Sequence, residues 1–212
     1  MTLILIEVWS YVQIPVIWYL FKKLARRDVS GHMIAGTLIG AFLEFSTEPL
    51  WQYHFKITVY KHNTPLSVVT GWGVMFTLVV FLSEKLYCWF LKESTILPQD
   101  KRILFFDALG ALLIGLPLET LGLKSGVWDY RNDILHWDWG IMPFFRMPYE
   151  ALFGYTLLML IAPTFVRYWE GVFSPVGSLF KGLILLEETE DQLSGSVAPS
   201  TSDAGDPSPL LP

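Results

Sequence analysis

Cysteine is all but missing from this chain. Cys88 stands alone among 212 residues, which excludes a disulfide framework and any cysteine-built zinc site. Histidine is nearly as scarce: His32, His54, His62 and His136 are scattered without helical pairing, so the pattern offers no metal site and calls for no cofactor. No run of Lys and Arg is long enough to mark a nucleic-acid partner, and the balance is acidic, with a net charge of -5 and a pI near 5.3. Charge itself is sparse, 17% of residues against about 25% in ordinary soluble domains. What fills the space is apolar and aromatic. Hydrophobic residues make up 52% of the chain, aromatics 16% with nine Trp, and the mean hydropathy is +0.43. That composition predicts a one-domain integral membrane protein.

The expected fold is all-α, a polytopic transmembrane bundle of about five spans over residues 1–186. Residues 3–21 form a first apolar stretch of bilayer-crossing length. It lacks a positive leader region and a small-residue cleavage site, so it reads as a retained span. Glu7, near its outer end, is expected to reach the lipid headgroups. Later spans fall at about 31–50, 66–83, 103–123 and 147–166. The second contains Gly36 and Gly40, a spacing that lets helix backbones approach closely. Lys22, Lys23, Arg26 and Arg27 follow the first span. With the N-terminus outside, ten of the fifteen basic residues fall inside, the bias of the positive-inside rule. Residues 175–186 are too short to span and are expected to lie in the interface or pack as a short helix. The acidic, then Ser/Pro/Gly/Ala-rich stretch 187–212 is expected to be a disordered cytoplasmic tail.

Within this apolar chain six acids fall inside spans, Glu7, Glu44, Glu48, Asp107, Glu119 and Glu150, and three of them, Glu44, Glu119 and Glu150, are singled out in the outer half near the Trp-x-Tyr links. An ionisable group at bilayer depth costs roughly 2.5–3.5 kcal/mol on insertion scales, so acids placed there point to a site. Two of them lie in matching surroundings. Leu38-Ile39-Gly40 through Glu44 reads against Leu113-Ile114-Gly115 through Glu119, Trp51-Gln52-Tyr53 against Trp128-Asp129-Tyr130, and Pro65 with Gly71-Trp72 against Pro148 with Gly154-Tyr155. The order predicts two parallel helix-pair repeats, about 31–84 and 103–167. Trp and Tyr at span ends also serve as an interfacial belt, which accounts for many of these rings without a site.

A carboxylic acid in apolar surroundings can hold its proton at neutral pH and deliver it to a carbon–carbon double bond. Faces of Trp and Tyr can stabilise the carbocation, and a second carboxylate can remove a proton to finish. The reading therefore makes Glu119 and Glu150 acid and base with Glu44 in support, and Trp128, Tyr130, Trp51, Tyr53, Trp72 and Tyr155 the binding surface for a lipid-soluble polyene or terpenoid. Two other classes fit the composition: a small transporter or ion carrier using the intramembrane carboxylates, and a non-catalytic assembly subunit. Oligomeric state is not written in these residues.

Residues 119–130, ETLGLKSGVWDY, and 147–160, MPYEALFGYTLLML, resemble the signature of the lycopene cyclase domain family of small membrane-embedded carotenoid cyclases, and that of the related carotenoid hydratases. The matched residues are Gly126, Trp128 and Tyr130, then Pro148, Glu150 and Phe153. The resemblance implies a polytopic helical fold and acid-initiated cyclisation, isomerisation or hydration of a carotenoid or related terpenoid. The chain also departs from the pattern. Ala151 stands where the family has a second Glu, and Ser67 stands where the second repeat has Glu150, which implies a different terpenoid or a different outcome.

Overall fold

The computed structural model describes residues 2–97 and 100–173. The expected interfacial segment and tail lie outside them. The long elements are α1 (Thr2–Leu20), continued by a wider turn at Phe21–Ala25, α2 (Ser30–Thr47), α3 (Leu66–Leu91), α4 (Ile103–Ser125) and α6 (Tyr149–Phe173); α5 is one short turn, Asn132–Leu135. Among the described residues four helices are long and apolar enough to cross a membrane: Leu3–Ala25, Leu66–Leu91, Ile103–Ser125 and Tyr149–Trp169. The fold is a helical bundle.

Its organisation follows from where apolar side chains find partners. α2, α3, α4 and α6 pack around a shared core of Ala35, Phe76, Val79, Val80, Ala111, Met159, Ala162 and Val166. α1 lies at the edge, resting Ile14, Ile17, Trp18 and Phe21 on Val29, Met33 and Val74, and leaves Leu5, Val8, Trp9 and Tyr19 more than half exposed. An outward face that apolar is stable against lipid rather than water. Gly36 lets α2 and α3 touch, since a Cβ there would stand 2.9 Å from the Gly73 Cα. Gly40 does something else: its missing Cβ leaves room for the Trp72 side chain, which occupies the space that atom would take.

Short polar and aromatic connections gather at one end. β1 (Trp51–Tyr53) pairs antiparallel with β4 (Trp128–Tyr130), Trp51 opposite Tyr130 and Tyr53 opposite Trp128. β2 (Thr58–Tyr60) and β3 (Thr64–Pro65) form a hairpin whose turn carries Lys61 and His62 at positive φ. Glu7 is buried beside this loop, accepting hydrogen bonds from the Lys56 and Ile57 backbone N–H groups (2.8 Å to Ile57). It therefore ties the start of α1 to the loop instead of reaching out to headgroups, because two unpaired backbone donors were available to it. Glu48 is buried too, beside Asn63 (3.3 Å) and Lys61 (3.5 Å).

The opposite end is held by charge. Arg167 donates to Asp107 (2.5 and 2.7 Å) and to the Ser83 hydroxyl (2.7 Å), and lies 3.4 Å from Glu84; Arg27 reaches Glu84 at 2.5 Å. Asp107 is fully buried. The network joins α3, α4, α6 and the α1–α2 connection, with two cations facing two anions.

Candidate functional site

Glu44 and Glu119 each sit near the end of a helix that leads into a Trp-x-Tyr strand, and the strands fold back over them. In the second half the mechanism is local. Gly126, at φ +66°, ends α4 and takes the left-handed turn that directs the chain into β4, with Val127 N–H donating to the Gly122 carbonyl (3.0 Å). Side chains two apart on a strand share a face. Trp128 and Tyr130 therefore both return to Glu119: the indole N–H donates at 3.0 Å and the phenol at 2.7 Å, both to Oε1. Tyr155 from α6 donates to Oε2 at 3.1 Å. Gly122 makes this closure possible, since a Cβ there would run into the Trp128 ring.

Glu44 is met differently. Tyr53 donates to Oε2 at 2.8 Å, but the Trp51 indole turns to the Thr47 hydroxyl at 3.2 Å. The second donor comes from α3, where Trp72 Nε1–H lies 2.7 Å from Oε1. Glu44 is 2% exposed and Glu119 6%, so each carboxylate has exchanged water for aromatic donors. Burial, then the carboxylate beside each, holds the Tyr53 and Tyr130 phenols above their ordinary pKa, so both remain O–H donors.

Three ring pairs cross between the halves: Trp51 with Tyr130 (4.8 Å between centroids), Tyr53 with Trp128 (6.3 Å) and Trp72 with Tyr155 (6.2 Å). The structure thus brings together Glu44, Glu119 and all six expected binding aromatics. Glu150 belongs to a different set of contacts. Its Oε1 accepts the backbone N–H groups of Asp138 (2.9 Å) and Trp139 (2.7 Å), bracing the 136–148 loop against α6, while Oε2 is buried without a hydrogen-bond partner.

Asn63 was not singled out by the sequence, yet it mounts the first strand. Its Oδ1 accepts Tyr53 N–H (3.1 Å) and its Nδ2 donates to the Trp51 carbonyl (3.0 Å) and to Glu48. An Asn in a polar loop is a weak sequence signal; only the fold shows which backbone it satisfies. Among the described residues no group of three or more His, Cys, Asp and Glu could hold a metal ion.

Beside Glu119 runs a cleft between α4 and α6, about 350 Å³ counted to its open mouth, lined by Ala108, Leu112, Gly115, Leu116, Met159 and other residues of the two helices, with Tyr155 and Glu119 among its walls. Taken together, a buried carboxylate pair, ring faces around it and an apolar approach can deliver a proton to an apolar substrate, hold a cation and exclude water. Comparison with protein-family models, curated proteins and solved structures returned no match.

Proposed function

We propose that this protein is a membrane-embedded enzyme that starts carbocation chemistry on a polyene or terpenoid by protonating a double bond. The observation that carries the reading is the pair Glu44 and Glu119, both buried, each held, among the described residues, by aromatic N–H and O–H donors and linked by three crossing ring pairs. In the proposed step one carboxylic acid gives its proton to an alkene carbon. The π electrons form the new C–H bond, and the positive charge left on the neighbouring carbon faces Trp and Tyr rings rather than water. Loss of a proton to the other carboxylate gives an isomerised or cyclised product; capture of water gives a hydrated one. Glu150 stays in the proposal as a proton acceptor, since its buried Oε2 has no hydrogen-bond partner among the described residues. The resemblance to carotenoid cyclases and hydratases points to the same substrate class.

The proposal includes five spans with the N-terminus outside, α2 being the fifth. Eighteen residues of helix rise about 27 Å, close to the hydrocarbon thickness of about 30 Å. Glu7 and the 54–57 loop meet at one end while Arg27, Glu84, Asp107 and Arg167 meet at the other, as alternating spans require. It also includes the two repeats. The register that pairs Glu44 with Glu119 also pairs His32 with Asp107, and the one that pairs Trp72 with Tyr155 also pairs Glu84 with Arg167. The Trp-x-Tyr strands pair with each other residue for residue, as a twofold axis along the membrane normal would have them.

The test is expression in cells that accumulate linear carotenoids, with pigments resolved by mass. A product heavier by one water indicates hydration; an unchanged mass with altered retention indicates cyclisation or isomerisation. Pigments identical to those of the empty host would count against the proposal.

A further inference from the structure

The two halves each carry a hollow on their outer side, and the hollows are not equivalent. In the first half it lies between α1, α2 and α3, about 560 Å³ with its mouth, lined by Ile14, Met33, Thr37, Leu38, Thr70 and Val74. Neither Glu44 nor any other acid is among its walls. Trp72 explains why: its side chain fills the space beside Gly40 and its N–H closes on Glu44. In the second half the residue matching Gly40 is Gly115, and within 4 Å of the position its Cβ would take there is no atom. Tyr155 replaces Trp72, leaving the passage beside Gly115 unfilled, and the α4–α6 cleft includes Glu119.

From this asymmetry we infer that the α4–α6 cleft is the lateral entrance from the membrane to the carboxylate pair, and that it takes one linear isoprenoid chain with Gly115 as the residue that keeps it open. This deepens the proposed function and rests on it for the identity of the chain. The cleft's chemistry selects the occupant. Its lining is apolar apart from Glu119, Tyr155 and Thr156; the Tyr155 hydroxyl already donates to Glu119 and the Thr156 hydroxyl to the Leu152 carbonyl (2.9 Å), so neither leaves a donor unmet. An extended hydrocarbon has no hydrogen-bonding groups to satisfy, as walls without a free donor require, and one that parts α4 from α6 along this cleft would bring its end to Glu119. The first half has no such route, so substrate would enter from one side only.

The test uses the full chain in lipid nanodiscs and a diazirine-bearing analogue of geranylgeraniol as the probe, with labelled residues mapped by mass spectrometry. Labelling is expected on Leu112, Leu116 and Met159. Gly115→Trp should reduce it about tenfold, while Gly154→Trp, on α6 at a position equally free of neighbours and outside the cleft lining, should leave it unchanged. Should Gly115→Trp fail to fold, Leu112→Trp, at a half-open wall position, serves instead. Labelling centred on Thr37, Leu38 and Thr70, or labelling of the α4–α6 cleft that both blocking variants leave intact, would overturn the inference. Turnover of linear carotenoid on the same samples separates the two readings. Cleft labelling without any turnover supports the entrance and counts against the reaction; turnover that survives a blocked cleft overturns the entrance alone.

Discussion

Glu44 and Glu119 each sit on a helix that leads into a Trp-x-Tyr strand, yet they are held by different hands. Glu119 takes three donors, two of them from the strand that directly follows its own helix. Glu44 takes two, one from its strand and one from across the bundle, because Trp51 spends its N–H on Thr47. An ionised carboxylate accepts but cannot donate, so three converging donors match the charged form of Glu119 more fully than two match that of Glu44. The difference teaches that a repeated motif does not give a repeated environment: the same Trp-x-Tyr spacing closes one acid locally and leaves the other dependent on α3. It also assigns roles within the proposed chemistry, Glu44 as the better source of the proton and Glu119 as the better receiver.

The comparison breaks most severely at the charged end, where Asp107 on α4 pairs with Arg167 on α6 and Glu84 on α3 joins Arg167 to Arg27. Arg167→Leu would strand the fully buried Asp107, and loss of one partner of a buried pair costs about 3–5 kcal/mol. Glu84→Leu removes a partly exposed anion and should cost clearly less. Chemical denaturation in detergent, or the yield of folded protein, ranks the two. Equal losses would mean that the network is not organised around Asp107.

Next in size are the glycines beside the indoles. Gly40→Ala drives a methyl into the root of the Trp72 side chain, which cannot retreat unless α2 and α3 separate, whereas Gly122→Ala meets the far edge of the Trp128 ring, which can swing away. Overpacking of this kind costs about 1–3 kcal/mol. The expected outcome is a larger fall in thermal stability for Gly40→Ala and a larger change in Trp fluorescence for Gly122→Ala.

Removing single donors gives smaller effects and sharpens the comparison further. Tyr53→Phe takes away one of two donors to Glu44, and Tyr130→Phe one of three to Glu119; a net hydrogen bond is worth about 0.5–1.5 kcal/mol, with Tyr53→Phe at the upper end. Melting curves of the two variants decide the order. The smallest effect is expected from Trp51→Phe, whose lost partner is a hydroxyl. Trp128→Phe takes a donor from a carboxylate and should be the more damaging in the same measurement.

Much of this arrangement could be read without coordinates, and the reasons it could are physical. Long, mostly apolar runs make α1, α3, α4 and α6 legible, and the high cost of acids in the apolar stretches of α2 and α4 singles out Glu44 and Glu119. The Trp-x-Tyr spacing was visible because it recurs, and strand alternation explains why both side chains of Trp128-Asp129-Tyr130 reach one carboxylate. Other features depend on tertiary neighbours that no local pattern encodes. The substitution of Trp72 for Trp51 as a partner of Glu44, the role of Asn63 in mounting β1 and the burial of Glu7 on two loop amides each need the fold to bring distant backbone and side chains together. Glu150 shows the same limit from the other side. Its position at the start of α6 was plain, but the loop amides that engage it lie more than ten residues earlier in the chain.

The central claim is that Glu44 and Glu119 move protons onto and off a double bond. It is tested most directly by supplying a linear carotenoid to the protein in deuterated water and reading the product by mass spectrometry, for the wild type and for Glu44→Gln and Glu119→Gln. Stable deuterium on carbon in the wild-type product, with product formation lost in both folded variants, is the result this account predicts. Product formed without deuterium uptake, or formed equally well by both variants, would contradict it.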